Sequence, residues 1–399
     1  MTFRSWQFGI KIYRGFSPKN KNRRVTTMEE EVKLSETIQK DVTCKQCAAK
    51  LTFKPGTSSL KCEYCGTENE IMVEEKPIEE IDFEKFITEK YNSVPKQEIK
   101  TVRCEGCGAH TSFDPNVVSE LCPFCGSVLV VKESESESIV KPGSLLPFGI
   151  DAKKAFGVFQ TWLKKLWFAP NDLMKYAAQQ EKLKGMYIPY WTYDSNTYSR
   201  YSGERGDDYQ ATESYTTTEN GKTVSKTRTV TKTRWHSVSG NVSNVFDDVL
   251  VLASKSLPKK YTEKLEPWDL DKLVNYDEQF LSGFRTETYQ VDMKDGFTEA
   301  KTKMEPVIRN TVCKDIGGDH QRISTLSTTY NDVTFKHVLL PVWISAYRYH
   351  DKIYRFLVNG RTGEVQGERP YSWIKITLAV LAGIIIIGGA IWLINYYNK

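Results

Sequence analysis

Residues 44–65, CKQCAAKLTFKPGTSSLKCEYC, and residues 104–125, CEGCGAHTSFDPNVVSELCPFC, carry one plan twice. Cys44 and Cys47 are followed by Cys62 and Cys65, and Cys104 and Cys107 by Cys122 and Cys125 at the same gap. Phe53 aligns with Phe113, Pro55 with Pro115 and Gly66 with Gly126 in a single register. This is an internal duplication, so each copy is expected to be one structural unit.

Two thiolates separated by two residues sit on one tight turn and offer both sulfurs to one tetrahedral ion. A second such turn closes the site. Gly66 and Gly126 follow the last cysteine, where that turn needs a residue tolerant of positive φ. Four sulfurs fill the coordination sphere and leave no place for water or substrate. The expectation is therefore two structural Zn2+ sites in two zinc ribbons, at 41–72 and 101–132. Iron in a rubredoxin-like site uses the same ligand set and is the competing metal; redox disulfides or bare thiols are the bland alternative. Eight of nine cysteines fall in C-x-x-C pairs and only Cys313 stands alone, which points to a reducing compartment rather than a disulfide framework.

The net charge of +5 over 399 residues names no polyanionic partner. In the first ribbon Lys45, Lys50, Lys54 and Lys61 face Glu63, Glu68 and Glu70. The second has Arg103 and Lys132 against Glu105, Asp114 and Glu120. Neither makes the clustered basic surface that phosphates require, so the ribbons point to protein contact and away from nucleic acid.

Residues 1–40 form a basic, then acidic, segment expected to be disordered. It lacks the apolar core of a secretion signal, and either Met1 or Met28 is the start site. A basic arm for anionic lipid is the other reading of its first residues. Residues 73–100 link the ribbons and carry a short amphipathic helix at Ile81–Tyr91, with Phe83, Phe86 and Ile87 on one side. The Glu/Ser run within 133–141 reads as a low-complexity linker, leaving the ribbons a mobile module.

Residues 142–370 read as an α+β cytoplasmic domain. Ala155, Phe156, Phe159, Trp162, Leu163 and Leu166 mark a helix from Asp151 that Pro170 stops. Gly185–Tyr201 favours strand. Thr223–Ser237, after Asn220-Gly221, reads as an exposed hairpin arm. Phe297 to Ile316 is an amphipathic helix ending at Gly317-Gly318, with Pro306 expected to kink or split it. His337–Tyr349 and Lys352–Val358 are strands, followed after Asn359-Gly360 by another through Val365. Ile188-Pro189-Tyr190-Trp191 and Leu340-Pro341-Val342-Trp343 share one pattern: either two related half-domains, or prolines that happen to open two edge strands.

Residues 371–399 hold an anchor and short tail. No charge interrupts Ile376–Ile394, and about 20 residues at 1.5 Å cover the ~30 Å hydrocarbon layer. Trp373 on one side and Trp392, Tyr396 and Tyr397 on the other suit the interfacial belts. Arg355, Arg361, Arg369 and Lys375 precede the span and only Lys399 follows it. A single-pass protein of the inner (cytoplasmic) membrane, its N-terminal bulk in the cytoplasm, is the expectation.

No catalytic residue and no small-molecule site is assigned. Gly221-Lys222-Thr223 ends like a phosphate loop, but Thr216 stands where that loop needs glycine. The five histidines show no H-E-x-x-H, and no serine sits in G-x-S-x-G. Tyr201–Tyr209 is the most chemically loaded run. Asp207 and Asp208 there could bind a cation, and a polar turn with Arg–Asp pairing is the blander reading. Cys313 reads as packing.

With the ribbons, Leu146-Pro147-Phe148, Gly185 to Trp191, Tyr201 to Gly206, Leu340 to Trp343 and Asn359 to Gly363, the chain from about 40 to 399 resembles a bacterial family of zinc-ribbon membrane proteins. Its members often carry names such as primosomal protein N′-like helicase or TFIIB-type zinc-finger protein. Some are encoded beside phage-shock-protein-A-like and SPFH proteins. The resemblance implies a membrane-recruitment partner for such proteins. A helicase activity fits poorly, since the nucleotide loop is missing. The expected fold is two small zinc ribbons, then an α+β domain with antiparallel strands and amphipathic helices, then one C-terminal transmembrane helix. The expected role is a non-enzymatic adaptor that recruits protein partners at the cytoplasmic membrane face. The competing readings are a nucleic-acid-associated replication or transcription factor and an enzyme built on the Tyr201–Tyr209 run.

Overall fold

The computed structural model describes residues 42–72, 76–90, 96–112, 119–130, 135–173, 183–219, 222–350 and 352–397. The 1–40 segment with both start sites, Tyr91, Phe113, Pro115, Lys132, the Asn220-Gly221 turn and Lys399 lie outside the described residues.

The two Pro-x-Trp motifs lie side by side. The body contains β1 (Ser144–Leu145), α1 (Ala152–Lys164), β2 (Lys184–Glu219), β3 (Lys222–Leu252), β4 (Arg285–Thr286), α2 (Met293–Ile316), β5 (His320–Tyr349), β6 (Lys352–Asn359) and β7 (Val365–Gly367). β2 and β5 pair antiparallel at the centre of one sheet, with Ile188 opposite Leu340. β1 runs parallel to β5 at Val338 and Leu339; β4 runs parallel to β2 at the corresponding Met186 and Tyr187. β3 joins β2 from Tyr190, and β6 joins β5 from the corresponding Val342. The body is thus one β–α–β–β unit used twice about a local two-fold axis. Each unit lends its short first strand to the other's long one.

Related halves, rather than proline-opened edges, therefore describe the motif. Pro189 and Pro341 sit in the two central strands, where a missing N–H usually costs a ladder bond. Each falls where the short parallel strand gives way to the hairpin partner, so its carbonyl is used and its absent N–H is not missed. Ala253 N–H donates to Pro189 O (3.0 Å) and Gly360 N–H to Pro341 O (2.8 Å).

Side-chain alternation sends Tyr187, Trp191 and Tyr193 to one face of β2. α1 buries Ala155, Phe159 and Leu163 there beside Tyr187 and Trp343, and α2 buries Ala300, Met304 and Ile308 beside Trp191 and Phe335. Both helices begin at a capping aspartate, which satisfies first-turn amides. Asp151 accepts from Lys154 N–H, and Asp292 from Lys294 and Asp295 N–H. Of the kink or split expected at Pro306, the split does not occur: α2 runs unbroken from Met293 to Ile316. Packing of Met304 and Ile308 on either side of that proline holds the helix against the sheet. Met186, Ile188 and Tyr190 face the other way, into a core with Leu257, Leu265 and Trp268.

β2 and β3 continue beyond the last β5 pairing, Gly206 with His320, as a two-stranded hairpin that reaches Glu219 and Lys222. The expected exposed arm is present. Tyr201–Tyr209, expected as a polar turn, is instead the interior of β2. The segment 133–141 also differs from a structureless linker, because Glu135–Val140 pairs antiparallel with Lys96–Thr101. Composition alone does not disclose that this backbone has a partner strand. The helix expected at Ile81–Tyr91 appears as a single turn, Phe83–Lys85, running into a π-helical turn, Phe86–Lys90. Phe83 and Phe86 pack on Phe335 as their spacing predicts. A third long helix, α3 (Trp373–Tyr397), leaves the body with no buried residue, and it is long and apolar enough to cross a membrane.

Candidate metal centres

Each cysteine pair sits on a tight turn closed by its own backbone. In the first unit Ala48 N–H donates to Cys44 O (2.9 Å) and Gly66 N–H to Cys62 O (2.9 Å). In the second, Gly108 N–H donates to Cys104 O and Gly126 N–H to Cys122 O, both at 2.8 Å. Gly66, Gly108 and Gly126 all take positive φ, at 74°, 74° and 72°. Ala48 takes the same region at 58°, a conformation that costs an L-residue energy.

The turns bring the eight predicted ligands into two clusters, Cys44, Cys47, Cys62 and Cys65, and Cys104, Cys107, Cys122 and Cys125, with all sulfurs in each within 4.8 Å of one another. Cys44 and Cys65 sulfurs are 3.6 Å apart, and Cys47 lies 3.5 Å from both Cys62 and Cys65. In the second cluster the distances are 3.6 Å for Cys104–Cys125 and 3.7 Å for Cys107–Cys122. Metal–sulfur bonds of about 2.3 Å place tetrahedral sulfurs about 3.8 Å apart, so the donor sets fit one ion each. Gln46 N–H donates to Cys44 Sγ at 3.4 Å, a contact that favours thiolate.

A feature that the cysteine spacing did not flag repeats as well. Thr67 Oγ1 lies 3.2 Å from Cys65 Sγ, and Ser127 Oγ lies 3.2 Å from Cys125 Sγ. The Thr67 hydroxyl and amide bring the Cys65 thiol down to about 6. Burial opposes ionisation of Cys125, but the Ser127 hydroxyl and amide bring it down to about 7. The hydroxyls occupy matching positions in the two copies, so the duplication register was the signal that could have found them.

The surroundings differ. Cys47 and Cys65 are exposed, whereas Cys104, Cys122 and Cys125 are buried and Cys107 is half-buried. The first unit joins the helix-side core: Phe53 meets Phe280 edge-on at 5.2 Å, and Phe53 N–H donates to Ser282 O. The second joins the core on the opposite face through Phe124, beside Leu146 and Ile188. Both units thus share cores with the body, where a tethered module was expected.

The other sequence candidates do not assemble into sites. Asp207 and Asp208 point to opposite faces of β2, as neighbours in a strand must, so they cannot share a cation. Asp207 pairs with Arg205 at 2.9 Å; Asp208 accepts from Thr233 at 2.7 Å and meets His320 at 3.1 Å. Lys222 and Thr223 lie within β3, paired to Glu219 and Thr218, not between a strand and a helix. Cys313 is half-buried on α2. One acidic group, Asp194, Asp247 and Asp248, escaped the sequence reading. Lys336 serves it, with Nζ 2.8 Å from Asp248 and 3.7 Å from Asp194. Asn359-Gly360-Arg361 is a structural corner. Buried Asn359 donates to Leu265 O, and Arg361 Nε contacts both Asp269 oxygens at 3.1 and 3.0 Å.

No known family profile matches the chain, and no solved structure matches it. Over 342 residues it is 26% identical to "Uncharacterized protein YdjG" of Bacillus subtilis (strain 168), an alignment that covers 84% of this chain and 91% of that one.

Proposed function

We infer that the chain is a membrane-anchored zinc-ribbon adaptor. Each four-cysteine cluster holds one Zn2+ as a structural ion, with no open coordination position and so no hydrolytic role. α3 spans the cytoplasmic membrane, and the bulk before it stays on the side where thiolates remain reduced. The body displays surfaces that gather protein partners, with phage-shock and SPFH-type membrane-stress proteins as the partners the family resemblance brings forward.

The observation that carries this reading is the bare helix. α3 has no buried residue and is long and apolar enough over its 25 residues to cross a membrane, yet its base is tied to the body. Ser372 N–H donates to Phe168 O at 2.7 Å, and Lys375 Nζ to Ala169 O at 2.8 Å. Trp373 and Trp392 are both exposed and stand about 28 Å apart along a helix of 1.5 Å rise, near the thickness of a hydrocarbon layer. The partner-gathering role is supported by β3, which is the outer strand of the sheet order along its length. An unpaired edge offers backbone hydrogen bonds to an added strand.

Crosslinking in native membranes followed by pull-down on the full chain tests the reading. Recovery of a defined protein partner that disappears when α3 is removed supports it. Recovery of nucleic acid without a protein partner would replace it with the replication or transcription reading.

A further inference from the structure

We propose that the cleft at the base of α3 binds the headgroup of an anionic phospholipid from the bilayer that the helix enters. The inference rests on the reading of α3 as a membrane span. The cleft is open and measures about 690 Å³, room for a phosphate and its substituent. Its wall carries Lys260, Lys264, Lys352 and Arg369, together with Trp162 and Tyr371.

The charge balance favours an anion. Those four cations meet one lining carboxylate, Glu368, which already accepts from the Arg355 backbone N–H at 3.2 Å. Lys260 and Arg369 lie over the rings of Tyr261 and Tyr371, and none of the four cations is held in an ion pair among the described residues. The Arg369 guanidinium beside Tyr371, with Lys260 adding a smaller pull, holds that phenol below its usual value. A group that the local field makes easier to ionise marks a place where negative charge is stabilised.

The position selects a lipid over a soluble anion. Tyr371 stands two residues before the first residue of α3, so the cleft mouth lies within about 7 Å of chain from the helix start. Exposed Trp167 and Trp373 flank that point and suit the headgroup layer. Basic residues act on an anionic surface within about one Debye length, so cations that line a cleft at the foot of a span are placed to meet lipid headgroups. The aromatic wall gives the glycerol and upper acyl carbons an apolar contact.

The full chain is reconstituted into phosphatidylcholine vesicles that contain a minor fraction of phosphatidylglycerol. The vesicles are floated and extracted in mild detergent, and the lipid retained per chain is counted. Phosphatidylglycerol should be enriched about fivefold or more over its bulk fraction. The paired change Lys264→Gln and Lys352→Gln should return it to the bulk fraction, as should Arg369→Gln alone. Lys222→Gln with Lys226→Gln, on the distant hairpin, should leave it enriched. Bulk-level retention by the floating wild-type chain overturns the proposal while the anchor stands. Equal loss in the hairpin variant also overturns it, since binding would then be diffuse. Loss of the enrichment on washing with inorganic phosphate would assign the cleft to a soluble anion instead. A chain that fails to float with the vesicles overturns both the anchor reading and this one.

Discussion

Trp191 and Trp343 make the same hydrogen bond in the two halves of the body. Trp191 Nε1–H donates to Val291 O at 2.9 Å, and Trp343 Nε1–H to Ile150 O at 3.0 Å. Each carbonyl immediately precedes the aspartate that caps a helix, Asp292 for α2 and Asp151 for α1. Each indole also meets one aromatic ring from the segment before its helix, Tyr289 at 5.2 Å and Phe148 at 4.9 Å. A tryptophan in the central strand of each unit thus fixes where the other unit's helix begins. The pairing of duplicated four-cysteine units with a duplicated body means that both parts of the chain use one design twice.

Replacing either indole with phenylalanine keeps the ring but leaves a carbonyl without its donor. Trp191→Phe and Trp343→Phe should each destabilise by about 1–3 kcal/mol. Denaturant midpoints of the full chain in detergent check this. Equivalent roles require similar losses, so a silent change at one site and a large one at the other would contradict the duplication.

The two metal centres should behave unequally toward a chelator. Two ions per chain are expected by elemental analysis, because each cluster has its own four donors. The first has two exposed cysteines, whereas in the second three of the four are buried and Cys107 is half-buried. Metal should leave in two phases, with the first cluster emptying first. Cys62→Ser should remove one ion, and because Cys62 belongs to the helix-side core, it should also lower the melting temperature of the body.

Ala48 is held in a left-handed conformation that its counterpart Gly108 adopts freely. Ala48→Gly should therefore stabilise the first unit, by up to about 1 kcal/mol, less what glycine gains in the unfolded chain. Slower metal release from that cluster alone is the readout. Faster release would show that the turn is not strained as its φ indicates.

The cysteine spacing made both four-cysteine clusters legible from the sequence alone, because the geometry of a C-x-x-C turn is local in sequence. The two amphipathic helices were legible for the same reason: Ala155, Phe159 and Leu163 lie on one stripe, as do Ala300, Met304 and Ile308. What escaped depends on distant partners. β1 and β4 are two residues each and exist only because Leu145 meets Leu339 and Thr286 meets Tyr187 across the sheet. Tyr201 to Tyr209 is strand because β3 pairs along all of it and β5 as far as Gly206, although its glycines and acids favour a turn locally. The attachment of both four-cysteine units was also hidden, since Phe53 and Phe124 look like ordinary ribbon-core residues until Phe280 and Leu146 are placed beside them.

Two buried groups should give the body opposite responses to pH. Burial pushes the Glu287 carboxyl up to about 8 and the His337 imidazole down to about 4. Stability tied to Glu287 is complete below the unfolded value of 4.5 and is lost as pH rises toward 8. For His337 it is complete above 6.5 and is lost as pH falls toward 4. Each contributes on the order of 1.4 kcal/mol per pH unit within its window, so the two offset between 4.5 and 6.5. Above 6.5 only the loss from Glu287 remains. Thermal melts should show that Glu287→Gln flattens the decline from pH 6.5 to 8 relative to wild type. Parallel curves for the two proteins would show that the carboxyl is not held protonated.

The last prediction separates the anchor from the fold. No residue of α3 is buried, and its two ties to the body, Ser372 to Phe168 and Lys375 to Ala169, are single hydrogen bonds at the surface. Truncation before Tyr371 should therefore release a folded, metal-loaded chain from membranes, with a melting temperature within a few degrees of the full chain's. Partner recovery should still fail, because an adaptor acts by raising local concentration at the membrane. Orientation is checked by labelling. A cysteine introduced beside Lys399 should react with an impermeant thiol reagent outside intact cells, while half-buried Cys313 and exposed Cys47 stay protected. Labelling of Cys47 from outside would invert the topology. The thiolates would then face an oxidising compartment, where adjacent C-x-x-C pairs close as disulfides, and the metal reading would fall with the orientation.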